Sequence, residues 1–283
     1  MVYLAFDMDG TLGSFMVLWT MVSGLGGGPL YDELVRRMAI REKGATPIGM
    51  FRPGIFDVMR RVAKLKRSGA VQGVFIYTNN GSLELAEFVR DVIHRVVRYA
   101  VFDDVIHFYH PLRVAGANGK TPNQKTWFEL HKLLVAGRVG APAGVQPSEV
   151  LFFDDQEHTD LMSALGANYI RVPEYTYVAP IRPVIDVFTS SFADYVIPGE
   201  DIFEYVGYHG TLDNYIQRLQ RDAATASATD ASAASATATP ASDNGSAIMV
   251  RAVSRFEGRR GSNSKSMMGG TRRRRGSRRQ PKN

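Results

Sequence analysis

Residues 2–12 read VYLAFDMDGTL. Val2–Phe6 runs five residues without a polar interruption, the pattern of a strand buried on both faces rather than one half-exposed. The run stops at Asp7, and Asp9, Gly10 and Thr11 follow at once. Asp and Gly are turn formers, so this stretch taken alone is as readily a turn as a site. The same grammar recurs further along. Val71–Tyr77 (VQGVFIY) ends in Thr78-Asn79-Asn80, and Val150–Phe153 (VLFF) ends in Asp154-Asp155. Asp104–Phe108 and Tyr169–Val172 read as two shorter strands.

Between the strands the period changes. Ile55, Val58, Met59, Val62 and Leu65 recur at helical spacing, with Pro53 near the start. Leu85, Phe88, Val89, Val92, Ile93, Val96 and Val97 form a second stripe, and Thr126–Ala136 a third helix. Strand–helix alternation predicts an α/β fold: a Rossmann-like parallel sheet with helices on both faces. Such sheets place ligands at the carboxyl ends of their strands. Residues 1–221 form this domain. Within it, 13–50 joins an apolar run, a glycine-rich stretch (Gly24–Gly28) and a helix over Tyr31–Arg41. A lid over the site and a packing layer on the sheet are both open for that insert.

In a parallel sheet the three strand tips converge. Asp7, Asp9, Asp154 and Asp155 would then repel one another at neutral pH. A hard divalent cation relieves that repulsion, and Mg²⁺ prefers oxygen ligands. A cation in turn attracts phosphate. Thr78 can donate a hydroxyl to a phosphoryl oxygen, and the helix starting near Ser82 adds its N-terminal amides. A lysine would complete the anion cradle, with Lys125 or Lys120 as candidates. Asp154-Asp155 alone would read as a helix cap, and Thr78-Asn79-Asn80 as cap chemistry. Their ordered occurrence, each just after a strand, favours a site.

Taken together, Asp7-Met8-Asp9-Gly10-Thr11-Leu12, Thr78-Asn79, Lys125 or Lys120, and Phe152-Phe153-Asp154-Asp155 resemble the four motifs of haloacid-dehalogenase (HAD)-like phosphohydrolases. The resemblance spans about residues 1–175. Arg52-Pro53-Gly54 is similar to the small C-terminal-domain phosphatases, and Phe152–Asp155 with Leu165-Gly166-Ala167 to the magnesium-dependent phosphatase-1 group; both groups are essentially capless. The resemblance implies a HAD-like fold with a small flap or minimal cap at 13–50. It implies a hydrolase that cleaves a phosphomonoester through an aspartyl-phosphate. Asp7 would be the nucleophile and Asp9 the acid and base. Thr78, Asn79 and the lysine would bind the phosphoryl group, and Asp7, Asp9, Asp154 and Asp155 would hold Mg²⁺. The substrate would be a phosphoprotein or a small phosphoester. His158 and Asp160 lie near this set in sequence, and each also reads as a surface residue. His107 and His110 form no convincing metal pair.

Composition bounds the rest. The 283 residues include no cysteine, which excludes disulfides and thiolate chemistry. No apolar run reaches the length of a membrane span, and Asp7 and Asp9 stand where a signal peptide would be apolar. A soluble chain in the cytoplasm or nucleus, without a membrane partner, is expected. The net charge of +6 is uneven: residues 222–283 carry 12 Lys/Arg against 4 acids, leaving the body slightly acidic. From Ala223 to Ser242, 18 of 20 residues are Ala, Ser or Thr, and Arg272–Arg275 and Arg278–Arg279 follow. With no large apolar face to bury, 222–283 reads as a disordered, basic tail. That tail supports a competing function. The chain would then bind nucleic acid weakly through the tail, with the HAD-like body as a non-catalytic scaffold or as a phosphatase of nucleic-acid ends.

Overall fold

The computed structural model of the protein describes residues 2–22, 28–45, 47–114, 124–177, 181–192 and 244–255. Its centre is a five-stranded sheet. The strands are β1 (Tyr3–Phe6), β2 (Gly73–Tyr77), β3 (Asp104–Ile106), β4 (Val150–Asp154) and β5 (Tyr169–Arg171). Their order is β3-β2-β1-β4-β5, and every pair is parallel. β1, β2 and β4 are buried throughout, which is why their sequences lack the alternation of a half-exposed strand.

Alternate side chains feed two cores. Leu4, Phe6, Val74, Ile76, Leu151 and Phe153 face one side. There they meet α3 (Ile55–Arg67) and α4 (Leu83–Val97), whose apolar stripes lie at the spacing read from the sequence. Tyr3, Ala5, Phe75, Tyr77, Val150 and Phe152 face the other side and meet α6 (Trp127–Ala136) and α7 (Thr159–Leu165). Phe6 and Phe153 stack across β1 and β4, ring centroids 4.6 Å apart. Capping fixes where two helices begin. Ser82 accepts from the Leu85 amide at the head of α4, and Thr126 from the Glu129 amide at the head of α6. A four-residue helix, α5 (Pro111–Val114), precedes α6.

The ladder continues one residue past β1. The Asp7 amide donates to Phe153 O at 2.8 Å, and the Thr78 amide to Ile106 O at 2.9 Å. The polar tips are thus anchored by backbone bonds to neighbouring strands. β3 stops at Ile106, two residues short of expectation, because the Phe108 amide turns to Asn80 O.

In its described part the 13–50 segment packs on the helical layer of the sheet. α1 (Met16–Val22) packs on α4 and on α8 (Ile181–Phe192). α2 (Pro29–Lys43) packs on the same two helices and buries Leu34, Val35, Met38 and Ala39 in the core shared with β1. The ends of the segment are zipped together. Ser14 N donates to Met50 O at 2.8 Å, and Arg52 N to Leu12 O at 3.0 Å. Glu42, near the end of α2, is buried and accepts from Met50 N at 3.3 Å.

The expectation of a coreless tail fails for Asn244–Ser254, which forms helix α9 against α3 and β5. Met249, Ala252 and Val253, at i, i+3 and i+4, are buried in the main core. This short stripe supplies the apolar face that the Ala/Ser/Thr stretch lacks. Residues 193–243 and 256–283 lie outside the described residues, and with them the rest of the disorder expected of 222–283.

Two outcomes follow. Met249→Ala should cost about 2–4 kcal/mol in a urea melt, the usual cost of truncating a fully buried methionine. A loss below about 0.5 kcal/mol would mean that α9 is not docked. Second, burial pushes Glu42 up to about 7. The folded state then holds this proton more tightly than the unfolded chain. The associated stability is full below the ordinary carboxylate range and is lost as pH rises through about 7. Glu42→Gln should abolish this loss, worth roughly 3 kcal/mol between pH 4 and 8. Parallel pH-dependent melts of the two proteins would show no difference if Glu42 titrates normally.

Candidate active site

The site is built at the carboxyl ends of the two central strands and β2. After β1 the chain makes a single tight turn, with Leu12 N donating to Met8 O at 2.8 Å. Gly10 sits in the left-handed region (φ 72°), and a Cβ there would lie 2.5 Å from Asp155 Oδ2. Glycine is required twice over, by conformation and by space. Thr11 Oγ1 donates to Asp155 Oδ1 at 2.9 Å, joining the β1 tip to the β4 tip.

Arg52 locks this turn from beneath. It is 1% exposed. Its guanidinium donates to Thr11 O at 2.7 Å, to Pro173 O at 2.5 Å and also to Gly10 O. Two loops are thereby held by one cation. The Arg52-Pro53-Gly54 stretch mattered in the sequence as part of a resemblance; its structural task is to hold carbonyls.

Among the described residues, Lys125 is the lysine that reaches the site. It is 1% exposed, and its Nζ lies 2.5 Å from Asp7 Oδ1 and 2.8 Å from Asp154 Oδ2. Lys120 lies outside the described residues. Asp7, Asp154 and Asp155 are all buried and offer oxygens within 4.8 Å of one another. When all three are ionised, Lys125 balances only one of three charges. The remaining donors are hard carboxylate oxygens, and such a set could hold a divalent cation. Asp9 is not in this trio. Its carboxylate accepts from Asn80 Nδ2 at 3.0 Å, at the side facing β2.

The pKa directions follow from these partners. Burial pushes Asp7 well above the ordinary carboxylate range; Lys125 pulls against it, and Asp154 and Asp155 add to the rise. Burial also pushes Asp154 up, but Lys125, His158 and the Gln156 amide outweigh it, and Asp154 ends low. The difference is one of donors, since the Gln156 amide reaches Asp154 Oδ1 at 2.8 Å. Burial alone would lower Lys125, yet Asp7 and Asp154 hold it above its usual value. Burial raises Asp9 against the opposing bond from Asn80. Burial likewise raises Asp155 against the bond from Thr11.

Thr78 and Asn79 stand at the end of β2 as expected. Thr78 is buried, and its Oγ1 accepts from the Asn80 amide at 3.0 Å, which leaves its hydroxyl proton to donate. Asn79 Oδ1 is held by Arg113 Nη2 at 2.9 Å. Arg113, on α5, also donates to Thr78 O at 2.7 Å and to Glu129 Oε1 at 3.1 Å. Glu129 accepts in turn from the Tyr77 hydroxyl. The sequence reading missed Arg113, because nothing in a lone arginine shows that its partners lie 34 and 35 residues upstream and 16 downstream. It also missed the contact of Asn80 with Asp9.

His158 is no surface residue. It is 2% exposed, its Nδ1 accepts from the Lys125 amide at 3.3 Å, and its Nε2 lies 3.3 Å from Asp154 Oδ2. Its position four residues after Asp154 was the available signal. Asp160 takes the helix role instead, accepting from the Trp127 amide at 2.9 Å. Among the described residues it does not join the carboxylate trio.

No protein-family model matches the chain, and no curated protein matches it significantly. The geometry therefore has to carry the functional reading. The Arg272–Arg275 and Arg278–Arg279 clusters lie outside the described residues, so the tail-based alternative gains no support from them.

Removing the guanidinium at Arg52 should test how far the site depends on it. Arg52→Met leaves three carbonyls without their donor and should cost roughly 3 kcal/mol or more in urea unfolding. Arg52→Lys should recover part of that loss, because an ammonium can reach some of the same oxygens. A loss below about 0.5 kcal/mol for the methionine variant would show that the turn holds itself.

Proposed function

We propose that the chain is a Mg²⁺-dependent phosphohydrolase of the HAD type, cleaving a phosphomonoester through an aspartyl-phosphate. The observation that carries this reading is the buried trio Asp7, Asp154 and Asp155 with Lys125 Nζ bonded into it. A fold has no need for three inward carboxylates at one strand edge. An anion-handling site that recruits a cation does. The carboxyl edge of the sheet is also where a parallel α/β fold places its ligand.

Asp7, Asp154 and Asp155 would hold Mg²⁺, with the Asp9 backbone carbonyl as a further ligand in the family pattern. Bound there, the cation would neutralise negative charge on the phosphoryl oxygens. The chain's own groups supply the rest. Asp7 attacks phosphorus, and the bond to the leaving oxygen breaks as the new P–O bond forms. Lys125 sits against Asp7 and screens the charge that gathers on the transferring group. Asp9 gives a proton to the leaving oxygen and later takes one from the water that hydrolyses the aspartyl-phosphate. Its raised pKa runs in the direction a proton donor needs. Asn80 holds the Asp9 carboxylate in place for that task. Thr78 offers its hydroxyl proton, and Arg113 fixes Asn79 beside it.

Two outcomes test the reading. Asp7→Asn keeps the shape but cannot attack, so turnover of a small phosphoester should fall by roughly 10³-fold or more, with the melting temperature little changed. Near-normal turnover in the folded variant would remove Asp7 from the role. Activity should also need Mg²⁺ and disappear on exhaustive chelation. Asp154→Asn should raise the Mg²⁺ concentration needed for half-maximal rate, since one charged oxygen is lost.

A further inference from the structure

We propose that α3 and α9 together form a binding face for the phosphate backbone of a nucleic acid. This face lies in the folded body. It does not rest on the phosphohydrolase reading.

The two helices are held side by side. Ser246 Oγ donates to Pro53 O at 2.5 Å at one end, and Arg61 Nη1 donates to Ser254 Oγ at 2.8 Å at the other. Both bonds join residues 193 apart in sequence. The helices therefore run parallel and in step. Gly54 allows the close approach, since a Cβ there would lie 3.2 Å from Ser246 Cβ.

Each of these neighbouring helices carries exposed basic residues. Arg60, Lys64 and Arg67 follow i, i+4, i+7 spacing on α3 and are all exposed, so they form one stripe. Arg251 and Arg255, four apart along α9 and its end, are exposed as well. Arg60 pairs with Asp57. Lys64, Arg67, Arg251 and Arg255 have no carboxylate partner among the described residues. Arg67 instead lies over the Tyr99 ring, 4.9 Å from its centroid, which steadies the guanidinium without cancelling its charge. No acidic residue occurs within α9.

The chemistry of the face selects its partner. A protein interface needs a desolvated core with aromatic or aliphatic anchors. A membrane surface is bound through an apolar helix face as well as charge. The large hydrophobic residues exposed among those described are Trp19, Ile40, Leu83, Tyr109 and Phe128, none of them on α3 or α9. Only charge is on offer here. A nucleic-acid backbone is the polyanion that charge alone suffices to bind.

The test uses the full chain and two fluorescent probes, a short duplex DNA and an RNA of equal length. Binding is titrated by anisotropy between about 50 and 200 mM salt. The parent should bind at least one probe with an affinity that falls steeply with salt. Lys64→Gln, Arg67→Gln, Arg251→Gln and Arg255→Gln together should lower the slope of log affinity against log salt by about 3–4 on duplex DNA. Arg251→Gln with Arg255→Gln alone should lower it by about 2. An unchanged urea midpoint shows that the variants are folded, and the double variant spares the Arg67–Tyr99 contact. The proposal is overturned if neither probe is bound at the lowest salt. It is also overturned if the fourfold variant keeps the parental slope, which would place binding in the rest of the chain. Loss confined to the α3 changes would overturn the two-helix face. Tighter, Lys64-dependent binding to phosphatidylserine vesicles than to either probe would assign the face to membranes instead.

Discussion

One buried ammonium governs the arrangement of the site. Lys125 Nζ touches carboxylates from two adjacent strands, Asp7 after β1 and Asp154 at the end of β4. All three groups are almost fully out of water, where an unpaired charge costs several kcal/mol. None can therefore move without the others. Lys125 is placed by the Thr126 cap at the head of α6 and by the bond from its own amide to His158. The position of a helix on one face of the sheet is thereby coupled to the register of two strands at its centre.

A second cation does for the backbone what Lys125 does for the carboxylates. Arg52 gathers carbonyls from the β1 turn and from Pro173 beyond β5. Immediately after it, Pro53 accepts from Ser246 of α9. A helix from the far end of the chain thus leans on the residue next to the one that shapes the site. The order of contacts is short: α9, Pro53, Arg52, Gly10, Asp155.

Much of this was written in local sequence, and the rest was not for identifiable reasons. Parallel strands buried on both faces are unbroken apolar runs, so β1, β2 and β4 announce themselves, and the polar residues that end them stand out by contrast. Asp7, Asp9, Thr78, Asn79, Asp154 and Asp155 were legible in that way. In the sequence Lys125 is favoured over Lys120 only because it stands just before the aromatic-rich helix Trp127–Leu130; its contacts with Asp7 and Asp154 join residues 118 and 29 apart, which no local pattern encodes. Arg113 and Asn80 act through partners far away in sequence, and no periodicity encodes such a pairing. The 13–50 segment was ambiguous because a helix that packs and a helix that covers share one amphipathic pattern. α9 was hidden by its neighbours: Met249, Ala252 and Val253 make a narrow stripe in a stretch whose overall composition reads as solvated chain.

The closed base of the 13–50 segment has an evolutionary consequence. Residues 12–14 and 50–52 are joined by backbone bonds, so the segment leaves the site and returns to it through a single neck. Arg52 bonds to Gly10 and Thr11 on the site side of that neck. The neck and Arg52 fix the β1 turn at both ends of the segment, while α1 and α2 between them pack on α4 and α8. Residues added between its ends could build a new surface while the neck continues to hold the turn after β1. The neck makes this stretch the natural place for descendants of the protein to acquire new specificity by insertion, without rebuilding the strands beneath.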